Sequence, residues 1–376
     1  MKVLMISTDR KIFEEGSAVR ARMVDYAGLF KRLEIIVFAK KSDGFTVTEI
    51  ASNCRAYPTN SFSSFSYVCG AIRLGKKLLN NGGHDWVITC QDPFETGLAG
   101  WRLAERFGAK LNLQIHTDVF SSFFGRESLK NKIRVWLAKK LLPQADGVRV
   151  VSERIKKSLA FLPLKTEPIV LPIFVGSKIK ERGVIKIDLR QKYPQFDFVV
   201  LMASRLTREK NFQVALLALG QVVKTNSKIG LVIVGDGPER KNIEREIDRL
   251  GLTKNVILEK WNDDLSDYYQ TADLFLLTSN YEGYGRTLIE AAQEGCPILT
   301  TNIGAVGEVL DETNSLICQV GDRQCFVEKL IYAHEHRSAI VALGEAARRA
   351  VEAEFNFTTE EYLRRYKASV LECLGT

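Results

Sequence analysis

Short apolar runs alternate with amphipathic stretches along the whole chain, and this alternation predicts its secondary structure. The predicted strands are KVLMIST, LEIIVFAK, WVITCQD, KLNLQIHTD and GVRVVS in the first half, and FVVLMAS, IGLVIVGDG, NVILEK, LFLLTS and PILTTN in the second. Nearly continuous apolar strands that alternate with helices are typical of parallel sheets covered on both faces. The pattern therefore predicts two α/β domains in tandem.

Helical periodicity appears between the predicted strands, and a polar, proline-bearing stretch from about residue 172 to residue 195 separates the two series. The clearest predicted helices are Val19–Phe30, Leu98–Phe107, Phe212–Lys224, Arg240–Leu250 and Thr287–Glu294, with a final charged amphipathic helix over 360–374. A chain of 376 residues exceeds the size of one comfortable core. We expect an N-terminal domain over 1–172, joined by the terminal segment 357–376, and a C-terminal domain over 173–356.

Composition narrows the class of protein. The chain is 45% hydrophobic and 26% charged, which excludes a collagen-like or wholly disordered chain. No apolar run approaches the roughly 18 residues that a membrane span needs, and the first residues do not resemble a signal peptide. The seven cysteines include no Cys-x-x-Cys pair, so we expect buried free thiols rather than a disulfide framework or a zinc site. A cytoplasmic location is the expectation.

Charge is distributed unevenly between the two halves. Residues 1–172 carry 27 Lys and Arg against 16 Asp and Glu, a net charge of +11, whereas the remainder carries a net charge of −3. Such asymmetry indicates that the first half faces something anionic, such as nucleic acid, anionic lipid or an acidic substrate. The basic residues are spread out, and no recognised nucleic-acid-binding motif accompanies them, so a nucleic-acid partner is not expected.

The densest candidate for chemistry is TSNYEGYGRTLIEAAQEGCPI, residues 278–298. A predicted strand ends there, a glycine-bearing loop follows, and a helix begins near Arg286. The N–H groups at a helix start favour an anion such as phosphate, and glycine lets the backbone approach a ligand. Glu282 lies in the loop, and Glu290 lies one turn beyond the helix start. Either glutamate alone is typical of a solvated surface, but the combined pattern is much more specific.

Two further segments follow predicted strands. In MASRLTREKNF, Arg205 and Lys210 could neutralise a diphosphate without a metal, although a solvated basic loop has the same composition. VGDGPER, residues 234–240, is by itself only a tight turn between strand and helix, because the chain contains no G-x-G-x-x-G fingerprint. No Asp-x-Asp triplet occurs either, so a common way of holding a metal on a nucleoside diphosphate is missing.

These three segments resemble the retaining GT-B glycosyltransferases of family 4. The Glu-x₇-Glu pair formed by Glu282 and Glu290 carries most of this resemblance. The order and spacing match over about residues 196–320, including WNDDLSDYYQTADLFLLTS between the second and third motifs. The match is weaker over 1–172, where Gly16, His116 and RVVSERI at 149–155 fall in the expected places. The resemblance implies a GT-B fold, in which two Rossmann-like domains face each other across a cleft and the last helix returns to the first domain.

The resemblance also implies roles for individual residues in binding a nucleoside-diphosphate sugar. It assigns Arg205 and Lys210 to the diphosphate, Glu290 to the ribose hydroxyls, and both Glu282 and His116 to the donor sugar. The remaining expected donor-binding residues are Gly16, Lys260, Trp261, Gly285, Arg286, Thr287 and Leu288. Two departures concern loop geometry, because EEGS replaces a glycine pair near Gly16 and Asn211 replaces the usual glycine after the lysine.

The function implied is a retaining, metal-independent transfer of a hexosyl unit from a UDP- or GDP-sugar to a polysaccharide, glycolipid or lipid-linked acceptor, as in polysaccharide biosynthesis at the cell envelope. A soluble disaccharide or sugar-phosphate synthase of the same family is the alternative enzyme. A non-catalytic sugar-nucleotide-binding or nucleic-acid-binding protein is the alternative from another class.

A basic amphipathic run in the first half indicates how the acceptor could be reached. Residues 126–142 place Leu129, Ile133, Trp136, Leu137 and Leu141 on one helical face with Lys and Arg around it. This pattern resembles an interfacial membrane helix, and it is equally compatible with a core helix that has a solvated basic face. An anionic membrane surface is therefore an expected partner under the first interpretation, with the protein peripheral on the inner face of the membrane.

Overall fold

A computed structural model describes residues 1–79, 82, 84–173 and 185–374. The predicted linker between the two domains therefore lies partly outside the described residues. Packing divides the chain into two compact units. The N-terminal unit comprises Met1–Pro172 and Thr358–Thr376, and the C-terminal unit comprises Ile173–Phe357.

The N-terminal unit is built on an eight-stranded sheet. Its strands are β1 Lys2–Ser7, β2 Arg32–Val37, β3 Thr48–Ala51, β4 Cys54–Pro58, β5 Trp86–Cys90, β6 Lys110–Ile115, β7 Gly147–Val150 and β8 Ile169–Val170. They are arranged in the order β3-β4-β2-β1-β5-β6-β7-β8, and all neighbours are parallel except β3 and β4. The alternating pattern did not predict β3, β4 or β8, which are short and only partly apolar.

Helices of the N-terminal unit follow its strands in chain order. They are α1 Ala18–Ala27, α2 Tyr67–Leu79, α3 Glu95–Phe107, α4 Phe124–Glu127, α5 Leu129–Leu141, α6 Glu153–Ser158 and, from the end of the chain, α14 Thr359–Leu371. Helix α3 begins a turn before the predicted Leu98, because the carboxylate of Asp92 accepts hydrogen bonds from the N–H groups of Phe94 and Thr96. The predicted helix over 126–142 is divided by Ser128, whose hydroxyl caps α5 by accepting from the N–H of Asn131 at 3.1 Å.

The C-terminal unit has six parallel strands. These are β9 Phe198–Ala203, β10 Ile229–Val234, β11 Val256–Glu259, β12 Leu274–Leu277, β13 Ile298–Thr301 and β14 Leu316–Cys318, in the sheet order β11-β10-β9-β12-β13-β14. The helices are α7 Leu189–Lys192, α8 Phe212–Val222, α9 Arg240–Arg249, α10 Ser266–Thr271, α11 Arg286–Gln293, α12 Arg323–Glu335 and α13 Arg337–Glu354. The predicted parallel α/β architecture is confirmed in both units.

The core of the C-terminal unit explains why its strands read as continuous apolar runs. Every residue of β9 and of β10 is buried, since helices cover both faces of this sheet. Helix α8 contributes Phe212, Leu216 and Leu219 to one cluster with these strands, at the spacing of three and four residues that one helical face requires. Burial of a side chain of this size stabilises the fold by about 1.5–3 kcal/mol.

The expectation for the cysteines is wrong in part. Cys318 at the end of β14 and Cys325 in the first turn of α12 form a disulfide, with their Cα atoms 5.8 Å apart. The short connection from strand to helix brings them within the range that a disulfide spans, which spacing alone does not reveal. Of the five free cysteines, four are buried as expected and Cys69 is exposed.

Among the described residues, none of the helices combines the length and the apolar character needed to cross a bilayer.

Candidate active site

The order of strands in the C-terminal unit points to the candidate site. Chain connections run from β9 to β10 on one side and on to β12 on the other, so the topology switches between β9 and β12. Ligands of open α/β sheets bind at the carboxyl ends of the strands beside such a switch. The loops that follow β9 and β12 contain Arg205, Lys210 and Glu282, three of the six charged residues assigned from the sequence.

Lys210 and Glu282 form a buried ion pair at this position. The Lys210 ammonium donates to Oε1 of Glu282, and both side chains are largely shielded from solvent. The hydroxyl of Ser279 donates to the same oxygen at 2.8 Å. Taking two charges out of water is costly unless they are paired and hydrogen-bonded, and this pair meets both conditions. The structure thus brings together one cation and one carboxylate that sequence reasoning assigned to different parts of a donor.

The loop that carries Lys210 is held in place by hydrogen bonds with residues that follow β12. Thr278 donates its hydroxyl to the backbone carbonyls of Lys210 and Asn211, at 3.0 and 3.1 Å. Asn211 has a left-handed backbone with a φ of 48°, which asparagine tolerates better than most residues, and its amide donates to Asn280 at 2.9 Å. The replacement of glycine by asparagine therefore keeps the loop conformation that glycine would adopt.

Arg205 is placed differently from Lys210. Its side chain is 78% exposed, and its guanidinium lies 3.6 Å from Glu209 in the same loop. Glu209 in turn accepts a hydrogen bond from the hydroxyl of Thr207 at 2.6 Å. The two cations predicted for one diphosphate thus differ, since Lys210 is buried and held in place whereas Arg205 is solvated and free to reorient.

The helix that follows Glu282 begins as the sequence predicts. Gly285, with a φ of 83°, precedes the first residue of α11, and a Cβ there would lie 2.9 Å from Leu288. The first N–H groups of an α-helix have no partner within the helix, so those of Arg286 and Thr287 mark this end as suited to an anion, whereas the N–H of Leu288 donates to the carbonyl of Gly285 at 2.8 Å. No capping side chain occupies the position before the helix.

Glu290 lies one turn along α11 and is held from two sides. Arg286 donates its Nε–H to Oε1 at 2.7 Å, and the hydroxyl of Tyr269 donates to Oε2 at 3.2 Å. Burial, and then the charge of Glu290, raise the pKa of Tyr269 well above its usual value, so this hydroxyl remains a donor. The carboxylate is therefore oriented before any ligand arrives.

The turn VGDGP has a structural reason for its glycines. A Cβ on Gly235 would lie 2.1 Å from the carbonyl oxygen of Ser204, and one on Gly237 would lie 2.4 Å from that of Leu206. The backbone of Leu206 also exchanges hydrogen bonds with Asp236 and Glu239, at 2.9 Å each. Glycine is needed here for close packing against the loop that leads to Lys210, as in a tight turn between strand and helix.

The loop after β11 holds the residues expected at the base. Trp261 is 44% exposed, and its indole N–H donates to Asp263 at 3.0 Å; Lys260 is exposed beside it. Glu259, the last residue of β11, accepts hydrogen bonds from Lys192, Tyr193 and Tyr268, which the sequence reasoning missed. Burial alone would raise the pKa of Glu259, but these three bonds together hold it below its usual value.

In the N-terminal unit the strand order switches between β1 and β5, and their ends are joined by Gln91. Its side-chain oxygen accepts from the hydroxyl of Ser7 at 2.9 Å and from the N–H of Thr8 at 2.8 Å. Gly16 lies in the loop between β1 and α1, with a φ of 75° and open space around the position of a Cβ. Glycine thus allows both the left-handed turn and a close approach to this loop.

His116 directly follows β6, where its ring nitrogen Nε2 lies 3.0 Å from Oε1 of Gln114. Burial lowers the pKa of His116 to about 3, and the nearby charges of Arg149 and Arg22 act in the same direction. The imidazole is therefore neutral at physiological pH. Two residues on, burial raises the pKa of Asp118 despite the opposing charge of Arg154, and its Oδ1 is buried without a hydrogen-bond partner.

Sequence reasoning missed the residues that orient the charged groups. These are Ser279 and Thr278 at the end of β12, Asn280, Tyr269 on α10, Glu259 with its three donors, and Gln91 in the N-terminal unit. Most are hydroxyl, amide or carboxyl groups at or just after the end of a predicted strand. That position was a usable signal, but the partner of each group depends on which strands become neighbours.

The site therefore combines a strand-switch edge, a helix start suited to an anion, a buried Lys–Glu pair and a preoriented carboxylate. These features define an α/β protein whose candidate site suits an anion such as a diphosphate, in a chain without a dinucleotide fingerprint.

Comparison with known proteins assigns the family. The model of the Glycosyl transferases group 1 matches residues 186–350, and that of Glycosyltransferase Family 4 matches residues 27–172. The chain belongs to the GT-B glycosyltransferases of family 4.

Relatives and solved structures agree with this assignment. An alpha-monoglucosyldiacylglycerol synthase from Streptococcus pneumoniae is 26% identical over 224 residues, which are 57% of this chain and 51% of that protein. The aligned part is thus about half the length of that relative.

Two solved structures share the fold. Sucrose-phosphate synthase from Thermosynechococcus elongatus is 18% identical with a TM-score of 0.81 and full coverage of both chains. Anabaena HepE, solved with UDP and glucose, is 18% identical with a TM-score of 0.76, covering 98% of this chain and 99% of its own. Identities this low establish the fold alone, and the predicted GT-B fold class is confirmed.

Proposed function

We propose that this protein transfers a hexosyl unit from a nucleoside-diphosphate sugar to a glycan, glycolipid or lipid-linked acceptor, with retention of anomeric configuration and without a metal. The observation that carries the proposal is the Lys210–Glu282 pair beside the start of α11, at the strand switch of the C-terminal unit. Similar proteins support it, since one is an alpha-monoglucosyldiacylglycerol synthase and another was solved with UDP and glucose.

Charge development explains what the site would contribute to the reaction. Glycosyl transfer passes through an oxocarbenium-like state while the departing diphosphate gains negative charge. Lys210, Arg205 and the N–H groups at the start of α11 would stabilise that charge more in the transition state than in the ground state. Lys210 and Arg205 would supply the positive charge that a bound metal supplies in other enzymes. Metal independence is therefore part of the proposal.

The remaining assignments follow the same division of labour. Glu290 would accept hydrogen bonds from the ribose hydroxyls, and the loop with Lys260 and Trp261 would receive the base. Glu282 and His116 would act on the donor sugar, His116 as a neutral hydrogen-bonding group because its pKa is so low. Retention rests on the family resemblance, with the leaving phosphate taking the acceptor proton on the front face.

The donor half of the proposal is tested by calorimetry with UDP, GDP and ADP, followed by turnover of the matching sugar nucleotides in EDTA. We expect one nucleotide to bind most tightly and turnover to persist in chelator. Activity that is lost in EDTA and restored by magnesium or manganese would contradict metal independence, and no binding of any of the three nucleotides would contradict the function. The coupling constant of the product's anomeric proton decides between retention and inversion.

Membrane attachment through α5 is a further part of the proposal. Of the five apolar residues predicted on one face, Leu129, Ile133 and Trp136 are exposed by 74%, 53% and 58%, whereas Leu137 is half-buried and Leu141 is buried. The single face predicted from the sequence is thus wrong in detail, because Leu141 belongs to the core. The exposed apolar stripe and the surrounding lysines favour the interfacial interpretation over the core helix.

Co-sedimentation with vesicles tests this attachment. Each basic residue near an anionic surface contributes about 1 kcal/mol, so a handful gives weak binding that salt weakens. We expect binding to phosphatidylglycerol vesicles at low salt, and its loss at high salt, with phosphatidylcholine, or in Ile133→Ser/Trp136→Ser. Val341→Ser, which removes a side chain of similar exposure in the other unit, is the matched control. Absence of binding at low salt would favour a soluble acceptor, as in a disaccharide or sugar-phosphate synthase.

A further inference from the structure

A pocket in the N-terminal unit lies beyond the residues assigned so far. It has a volume of about 240 Å³ and lies between the loop after β6, helix α5 and Phe161. The apolar part of its wall consists of Val119, Val135 and the edge-to-face pair Phe120–Phe161, whose ring centroids are 5.1 Å apart. Phe161 is 59% exposed, which is unusual for a ring with so much apolar surface.

Two cations stand at the rim of the same pocket. Arg126 is exposed on α4, and Lys139 is exposed on α5 with its ammonium 5.6 Å from the ring centre of Phe161. No aspartate or glutamate lines the pocket, and among the described residues neither cation has a carboxylate within ion-pair distance. The serine hydroxyls of Ser121 and Ser122 complete the polar part. Cations that have no carboxylate partner and lie beside hydroxyl groups favour an anion with several oxygen acceptors, such as phosphate.

The position of the pocket connects it with the acceptor end of the reaction. The loop that lines it starts three residues after His116, at the carboxyl edge of the sheet where ligands bind. Val135 and Lys139 lie four residues apart on one face of α5. Trp136 follows Val135 by one residue, a rotation of about 100°, so the exposed apolar stripe of α5 borders the pocket face.

We propose that this pocket binds the phosphate-bearing end of an amphiphilic acceptor, with the phosphate at Arg126 and Lys139 and the adjoining apolar chain against Phe120 and Phe161. The assignment rests on the proposed function, and it narrows the acceptor to a lipid phosphate or phospholipid. A free sugar phosphate would satisfy the cations but would leave the aromatic wall uncovered. A neutral glycolipid would cover the wall but would leave both cations without a counter-charge.

Binding of monomeric probes to the full chain tests this choice. We would titrate dihexanoyl phosphatidic acid, glucose 6-phosphate, inorganic phosphate and dihexanoylglycerol by calorimetry, all below their micellar concentrations. We expect phosphatidic acid to bind at least tenfold more tightly than each of the other three. Equal affinity for glucose 6-phosphate or inorganic phosphate would overturn the lipid assignment, and equal affinity for dihexanoylglycerol would overturn the role of the phosphate.

Variants at the rim and the wall assign the binding to this pocket. Arg126→Gln/Lys139→Gln should weaken phosphatidic acid binding at least tenfold, and Phe161→Ser should weaken it severalfold. Lys132→Gln/Lys140→Gln removes the same charge from exposed positions of α5 that do not line the pocket, and should change the affinity less than twofold. An equal loss in both double variants would overturn the pocket in favour of diffuse charge attraction.

A measurement on the same samples separates this proposal from the proposed function. UDP binding should be unchanged in the rim variants, because neither Arg126 nor Lys139 is among the residues assigned to the donor. If UDP binds and phosphatidic acid does not, the pocket assignment alone fails. If phosphatidic acid binds through Arg126 and Lys139 and no nucleotide binds, the glycosyl-transfer proposal fails and the acceptor role of the pocket fails with it.

Discussion

The charged residues near the carboxyl edges of the two sheets differ in how they are paired. In the C-terminal unit the charges are paired with each other, Lys210 with Glu282 and Arg286 with Glu290, and hydroxyl groups fix the carboxylates. In the N-terminal unit the cations Arg126 and Lys139 line a pocket that also contains aromatic rings, and neither has a carboxylate partner among the described residues. One edge is therefore preorganised, and the other is left open.

This difference matches the two substrates of the proposed reaction. A nucleoside diphosphate presents the same phosphates and ribose whatever sugar it carries, so a site built around it can be fixed in advance, and preorganisation lowers the cost of binding. An acceptor supplies its own charge and its own apolar surface, and an edge with unpaired cations is completed only when that acceptor binds. Changes at the paired edge should therefore cost the most.

Breaking the buried pair should give the largest effect. Lys210→Met keeps most of the side-chain volume but leaves Glu282 buried without a cation. We expect kcat/KM to fall roughly 10²–10³-fold, the loss typical of removing one donor from a developing negative charge. The free energy of unfolding should fall by about 3–5 kcal/mol, because an uncompensated buried charge remains. Chemical denaturation and steady-state kinetics measure the two effects.

The double variant Lys210→Met/Glu282→Gln separates stability from function. It removes both charges, so we expect much of the lost stability to return while activity remains low. Lys254→Met, at an exposed position of the same unit, controls for the substitution itself. Recovery of activity together with stability would show that the pair is structural and would contradict its assignment to the donor.

Loss of the charge at Glu290 should have a smaller and more selective effect. In Glu290→Gln, hydrogen bonds to a charged acceptor, which contribute about 1.5–3 kcal/mol each, are replaced by bonds to a neutral amide, which contribute about 0.5–1.5 kcal/mol each. We expect nucleotide affinity to weaken roughly tenfold in calorimetry, with kcat less affected. Glu294→Gln, at the C-terminal end of the same helix, should leave the affinity unchanged. Unaltered affinity in Glu290→Gln would refute the ribose assignment.

The sequence predicted the parts of the fold that depend on local pattern. Strand β9 is apolar throughout and α11 is marked by glycine on both sides, so the bounds of both were predicted to within one residue. The start of β10 was predicted correctly, but the predicted run extends three residues past the end of the strand, into the turn. Short strands such as β3 exist because they pair with a neighbour, and local pattern contains little sign of that. The disulfide at Cys318 escaped prediction for the same reason, since it depends on how a strand end meets a helix start.

In the candidate site too, local pattern predicted some features, whereas others depend on how the chain folds. Charged residues at strand ends were found because parallel strands bring their carboxyl ends to one edge. Most of their partners were not, because Thr278 and Tyr269 reach Lys210 and Glu290 from elements that are distant in sequence. Ser279 lies only three residues from Glu282, but the contact between them depends on the conformation of the loop. The burial that makes His116 neutral is likewise a property of the folded unit.

His116 provides the smallest and most specific test of the comparison, through the pH dependence of stability. Its pKa falls from an ordinary value near 6.5 to about 3 on folding, so the unfolded chain takes up the proton first as the pH is lowered. The contribution of His116 to the free energy of unfolding is therefore fully present above about pH 6.5. It is lost as the pH falls toward 3, by up to about 1.4 kcal/mol per pH unit. Asp92 opposes it, because burial raises the pKa of that carboxyl to about 6.

A difference between variants isolates the histidine from such opposing groups. Three of the four tryptophans, at 86, 101 and 136, lie in the N-terminal unit, so fluorescence in a Trp261→Phe background reports on that unit. Between pH 7 and pH 4 we expect His116→Gln to lose less stability than its parent, whereas His84→Gln, at an exposed position of the same unit, should follow the parent. The neutral ring does not titrate near pH 6.5. The pH profile of kcat in the parent should therefore contain no inflection near pH 6.5 that disappears in His116→Gln. If His116→Gln and its parent lost equal stability on acidification, the imidazole would be solvated and free to carry charge, and the N-terminal edge would then resemble the charged edge of the C-terminal unit.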